Sequence, residues 1–248
     1  SGVSVKGRAN SSLKVGGNTA ATSGGRLVAL GSASNPVTFT KWSADSSWLG
    51  LIIAWPVANG KPASAYFDHA VIEYATTGLT ANQPDVLVNH SLIRNNVFTG
   101  IRANDSIEVA NSIFDNNGSP SGHAVSVSRR ITLTNNSIST NGLGGRTILM
   151  ESLGGGTNLA SNTFSGGPAE MSLGYVDHDV TWPSALSAII LLYNGGVSEI
   201  QAGATLTIEA GVTVKGRSNS SLNVGGNTPS TGGGRLVALG SASNPVTF

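Results

Sequence analysis

Three groups of residues in this chain have the types and spacing that chemistry uses. The first is "VDHDV" at Val176–Val180, where Asp177 and Asp179 flank His178. Alternate residues of a strand point to one face, so the two carboxylates could share a cation. The expected role is plainer: a polar turn. The second group is His69 and His90, which lie 21 residues apart. Imidazoles at a repeat distance can stack and bind a metal. Asn111 and Asn135 continue the same column, however, so a polar corner ladder is the expectation. The third is "GHA" at Gly122–Ala124, a poor echo of a hydrolase G-H-G with no paired Asp beside it.

Catalysis on polysaccharides would need more. A lyase needs clustered carboxylates for Ca²⁺ and a base, and a hydrolase needs paired Asp or Glu on one face. Here the acids are scattered, among them Asp45, Glu73, Asp85, Asp105, Asp115, Glu151, Glu170, Asp177 and Asp179. The expectation is no catalytic residue, no cofactor site and no metal site, and therefore no enzyme.

The elements that carry these residues are short and β-branched, with Gly, Asn and Ser between them. No sustained helical periodicity is present. Five segments share one pattern, beginning at Ala65, Val86, Ile107, Ile131 and Thr157. Each has an apolar residue and another five positions later. The first column is Phe67, Val88, Val109, Leu133 and Leu159; the second is Ile72, Ile93, Phe114, Ile138 and Phe164. Spacings of about 21–26 residues without helices predict a solenoid of parallel strands, one coil per repeat, with both columns stacked inside. The five-residue gap is then a corner, where Asn and Ser suit the bend. Asn96, Asn117 and Asn141 are expected to form an amide ladder. Glu73, Arg94 and Asp115 are expected to alternate in charge along a solvated face.

A longer repeat encloses the short one. Residues 5–39 and 214–248 align at an offset of 209. They differ only at Ala9/Ser218, Lys14/Asn223, Ala20/Pro229, Ala21/Ser230 and Ser23/Gly232. The expected organisation is residues 1–180 as most of one unit and 181–248 as the start of the next, on one solenoid axis. Near-identity that extends to loop positions such as "SASN" suggests units used for number, and number along a solenoid is length. Gly/Ser-rich stretches at 16–25 and 225–234 are expected to protrude, once per period, on a regular axial spacing modulated only by the twist of the stack.

Three phrases resemble right-handed parallel β-helix proteins of the pectate-lyase-like fold, in particular large secreted bacterial ones. They are "AGATLTIEAGVTVKG" at 202–216 with "TW" at Thr181–Trp182 upstream, "LVALGSASNPVTFT" at 27–40, and "WLGLII" at 48–53. The resemblance implies a fold and an extracellular or cell-surface setting, not an activity.

Composition sets the remaining limits. Of 248 residues 11% are charged, with a net charge of +1, which points away from nucleic acid or an anionic membrane as partner. There are 33 Gly but also 39% apolar residues, enough for a core. The absence of Cys excludes disulfides and thiolate metal sites. No apolar run reaches the ~18–20 residues of a membrane span and no signal peptide is recognised. The expected function is a structural segment of a long extracellular fibre, stalk or surface filament, whose partners are copies of its own repeat. The alternative is an adhesive or ligand-binding module, for which cell-surface or polysaccharide ligands are the expected partners.

Overall fold

The computed structural model describes all residues except 1, 18, 20–22, 45–46, 56–59, 119–121, 130, 141–145, 151–158, 160, 173–174, 193–197 and 226–232. The described chain is all-β apart from one turn of 3-10 helix at Ser184–Leu186. Every strand pair is parallel, and each strand bonds to its counterpart one coil away. This is a parallel β-solenoid, consistent with the right-handed β-helix that the resemblance implies.

Three sheets form the body. Sheet A stacks β1 (Ser4–Gly7), β4 (Val37–Lys41), β7 (Ala70–Glu73), β10 (Leu92–Arg94), β13 (Ile113–Asp115), β16 (Ser137–Ser139) and β18 (Thr163–Ser165). Sheet B stacks β2 (Ser12–Val15), β5 (Gly50–Ile53), β8 (Thr77–Ala81), β11 (Thr99–Ala103), β14 (His123–Val127) and β17 (Arg146–Met150). It continues through β19 (Ala169–Ser172), β22 (Ala188–Leu192) and β25 (Thr213–Gly216). Sheet C stacks β3 (Arg26–Leu30), β6 (Ser64–Asp68), β9 (Val86–Asn89), β12 (Ile107–Ala110) and β15 (Ile131–Thr134). Near the C-terminal end, sheet D holds β20 (Tyr175–Val176), β23 (Ser198–Ile200) and β26 (Leu222–Val224). Sheet E holds β21 (Val180–Trp182), β24 (Thr205–Glu209) and β27 (Arg235–Leu239).

Both apolar columns are where the spacing puts them. Phe67 pairs with Val88, Val88 with Val109 and Val109 with Leu133, all fully buried in sheet C. Leu159 is buried as well. On sheet A, Ile72, Ile93, Phe114 and Ile138 are buried and pair in sequence. Phe164 pairs with Ile138 but is only half-buried, because its strand is the last of sheet A and no strand stacks on its far side.

The corner between sheets C and A turns through one left-handed residue per coil: His69, His90, Asn111 and Asn135, with φ of 50, 43, 49 and 54°. A second left-handed column, Tyr74, Asn95 and Asn116, turns sheet A into sheet B. At the start of β5, Gly50 has φ 113°, and a Cβ there would lie 1.7 Å from the Thr77 carbonyl oxygen, so the next coil admits no side chain.

The two sequence copies fold alike but enter the stack on different faces. Strand β25 matches β1 at the 209-residue offset, yet β1 begins sheet A and β25 ends sheet B. Likewise β26 and β27, the counterparts of β2 and β3, lie in sheets D and E. The cause is one coil with an extra side. Between β18 and β22 the chain runs through sheets A, B, D and E, and the 3-10 helix then packs against β18 at the end of sheet A. The strand that opens the next copy is thereby shifted by one face. The expectation that successive units differ only by the twist of the stack is corrected by this step. Residues 18 and 20–22 of the Gly/Ser stretch at 16–25, and 226–232 of the one at 225–234, lie outside the described residues.

Candidate functional site

Polar side chains in this solenoid occur in columns, and most bond along the axis. Inside the C–A corner runs a buried ladder. Ser91 Oγ accepts the Ala70 amide at 3.0 Å, and Ser112 Oγ the Ser91 amide at 3.1 Å. Asn136 Oδ1 accepts the Ser112 amide and Asn162 Oδ1 the Asn136 amide, both at 2.9 Å. Each side chain thus satisfies a corner N–H of the coil before it. At the A–B corner, Asn96 Nδ2 donates to Asn117 Oδ1 at 2.8 Å, as the amide-ladder pattern predicts; Asn141 lies outside the described residues.

The charge column has the predicted order, and Arg94 Nε lies 2.7 Å from Glu73 Oε2. The face is less solvated than expected, however. Glu73 is buried, and its backbone oxygen accepts the Trp48 indole N–H.

The Val176–Val180 group separates into two roles. Asp177 Oδ1 pairs with His178 Nδ1, while Asp179 Oδ1 accepts the Thr205 amide of the next coil at 2.8 Å. His123 of the "GHA" phrase lies 3.2 Å from Glu170 Oε2. The same carboxylate meets Arg146 Nε at 2.6 Å and Arg217 Nη2 at 3.3 Å. Glu170 is buried, so its charge is held by three basic groups. This cluster was not legible in the sequence: His123 and Arg217 each stand 47 residues from Glu170, about two coils away on either side. It joins the body of the first unit to Arg217 of the second copy. Of the remaining acids, Asp105 Oδ1 accepts the amide of Ser106, and Asp45 and Glu151 are outside the described residues.

His69 and His90 do stack, with ring centroids 5.0 Å apart and planes 20° from parallel. The column then changes partners. The Asn half of the expected ladder forms, with Asn135 Nδ2 donating to Asn111 Oδ1 at 3.4 Å, but Asn111 Nδ2 donates to Asn89 Oδ1 and not to His90. What sits beside the two imidazoles is Asp68, the last residue of β6. Its Oδ1 lies 3.2 Å from His69 Nδ1 and 3.1 Å from His90 Nδ1. The three ligand-type atoms lie within 4.8 Å of one another, the one such group of three among the described residues.

A shallow groove runs along the outer face of sheet C, bordered by Arg26, Tyr66, Asp85, Leu87 and Glu108. It presents two carboxylates but no histidine. No family model, curated protein or solved structure matches this chain. The fold therefore stands on the strand pairing alone.

Proposed function

We propose that this chain is a segment of a long, repetitive extracellular or cell-surface fibre, in which near-identical blocks stack on one solenoid axis and function as length. One observation carries the reading: the second copy rebuilds the internal geometry of the first while stacked on its end. Ser4 pairs with Thr38 in the first copy, and Thr213 bridges Thr247 in the second. Ser11 Oγ donates to the Arg8 carbonyl at 2.7 Å, and Ser220 Oγ to the Arg217 carbonyl at 2.8 Å. The Ser32–Asn35 turn recurs at Ser241–Asn244. Strands β25, β26 and β27 meanwhile bond directly to the coil beneath them. A domain joined by a flexible linker would show no such continuity of sheet.

The extracellular setting rests on the resemblance alone. The absence of chemistry is part of the same proposal. Its supports are the separate roles of Asp177 and Asp179 and the ion-paired state of Glu170. Assays on acidic polysaccharides are expected to show no lyase or hydrolase turnover. Turnover that disappears in Asp177→Ala would overturn this part of the reading. Small-angle scattering of chains with two, three and four periods tests the rest: the cross-section stays constant while the length grows. Compact, globular growth would favour the adhesive-module alternative.

A further inference from the structure

The corner at His69 and His90 is built differently from every other rung of its column. The equivalent positions before the turn are Asp68, Asn89, Ala110 and Thr134, so a carboxylate stands only next to the two imidazoles. The backbone around it is tied on both sides. Asp68 O accepts the Gly31 amide at 2.8 Å, the His69 amide donates to Asn89 O, and the His90 amide donates to Ala110 O. The side chains are thus presented from a fixed frame, as a ligand set requires.

The contacts among the three groups, a His90–Asp68 hydrogen bond and the stacked rings, leave one atom unaccounted for. His69 Nδ1 is shielded from solvent and makes no hydrogen bond, although Asp68 Oδ1 is 3.2 Å away. The distance is short enough for a bond, but the alignment is wrong. His90 Nδ1, by contrast, does bond Asp68 Oδ1 at 3.1 Å, so His69 Nδ1 is the one ligand-type atom of the three left without a partner. Metal–ligand bonds of about 2.0–2.2 Å at tetrahedral angles put ligand atoms roughly 3.3–3.5 Å apart, close to the observed 3.1 and 3.2 Å. A fourth position is open, because the side chains of Asp68, His69 and His90 remain 26, 29 and 47% exposed.

We propose that Asp68 Oδ1, His69 Nδ1 and His90 Nδ1 form a binding site for one divalent transition-metal cation of the zinc class, with water completing the shell. Two imidazoles and one carboxylate suit borderline cations over Ca²⁺ or Mg²⁺, which prefer all-oxygen cages. The ligands come from two adjacent coils, so the cation clips one rung to the next. A bound ion also supplies the partner that His69 Nδ1 lacks. The expectation of no metal rested on the Asn residues that continue the column; it did not include Asp68, which the corner brings in from the strand end.

Titration of the untagged full chain with ZnCl₂ by calorimetry, beside CaCl₂ and MgCl₂, tests the site. One Zn²⁺ per chain is expected, with no comparable uptake of Ca²⁺ or Mg²⁺. The informative variants are His69→Asn and His90→Asn, because Asn already holds the same left-handed turn at Asn111 and Asn135. They keep the fold, which circular dichroism verifies. Loss of a mere supporting partner weakens metal sites roughly 10–100-fold, so each variant should weaken Zn²⁺ binding by about tenfold or more. His178→Asn, at the other candidate imidazole, should leave it unchanged. Absence of Zn²⁺ binding, or binding equally tight in folded His69→Asn and His90→Asn, overturns the proposal.

Discussion

Phe39 and Phe248 are the same residue of the same phrase, one period apart. Phe39 is 2% exposed and Phe248 is 68% exposed. Ala29 and Ala238 differ in the same way, buried in the first copy and exposed in the second. Their local turns match, Ser32–Asn35 in the first copy and Ser241–Asn244 in the second. What differs is the coil stacked against them. Phe39 pairs with Ile72 on the next rung of sheet A and meets the edge of the Phe67 ring at 6.0 Å. The contrast teaches that burial in this molecule is a property of neighbouring coils and not of a sequence segment. Local turns define each rung, and stacking alone makes a core of it.

The largest effect expected from that contrast is on a single ring. Phe39→Ala should cost about 3–5 kcal/mol, as a buried aromatic does. Phe248→Ala should stay within about 0.5 kcal/mol, as exposed substitutions do. Equilibrium denaturation of the two variants measures both. If a further coil is added beyond Phe248, its substitution should become as costly as that of Phe39. An unchanged small cost there would break the comparison.

A second pair sharpens the distinction between inside and outside of one corner. Asn136 is buried; it accepts from Ser112, donates to the Val109 carbonyl and to Asn162, and so bonds three coils together. Asn136→Ala leaves buried backbone groups unpaired and should cost about 2–3 kcal/mol. Asn111, one coil earlier on the solvent side, bonds only at the surface. Asn111→Ala should cost about 1 kcal/mol, most of it from the left-handed backbone. Thermal melts with equal losses would mean that the inner ladder does not hold the corner.

The smallest effect is at the charge column. The Arg94 side chain is 41% exposed and that of Glu73 10%. Screening by solvent limits this pair to roughly 0.5–1 kcal/mol. The difference between wild type and Arg94→Ala should shrink in high salt. A loss that salt does not alter would place the value of Arg94 in packing of its stem rather than in its charge.

Much of the architecture was legible in the sequence because a solenoid writes its rungs at near-constant spacing. The columns from Phe67 and Ile72 could be registered by counting, and the Asn96–Asn117 amide pair followed from the same count. The face shift at the start of the second copy could not. It depends on one coil, between β18 and β22, having a side more than its neighbours, and no periodicity marks a coil that occurs once. The site at His69 and His90 was half legible. The imidazoles share a column, but Asp68 belongs to the neighbouring one and meets them only through the turn. The Glu170 cluster was invisible for a similar reason: Arg146 is one coil away, but His123 and Arg217 are about two coils away in opposite directions.

The central claim is that each period continues the stack of the one before, displaced along the axis and advanced by one face. A period runs from β1 to β25, which is one face more than the eight steps of sheet B from β2 to β25, so at about 4.8 Å per step it adds roughly 40 Å. Electron microscopy of chains with three and four periods, carrying a gold label on a cysteine introduced at Thr19, measures both quantities together. The account predicts straight particles whose labels are spaced by roughly 40 Å and wind by about a third of a turn per period, because the body has three faces. Labels aligned along one side would contradict the face shift. Particles that bend freely at each junction, or lengthen by much less than 40 Å per period, would contradict the continuous stack itself.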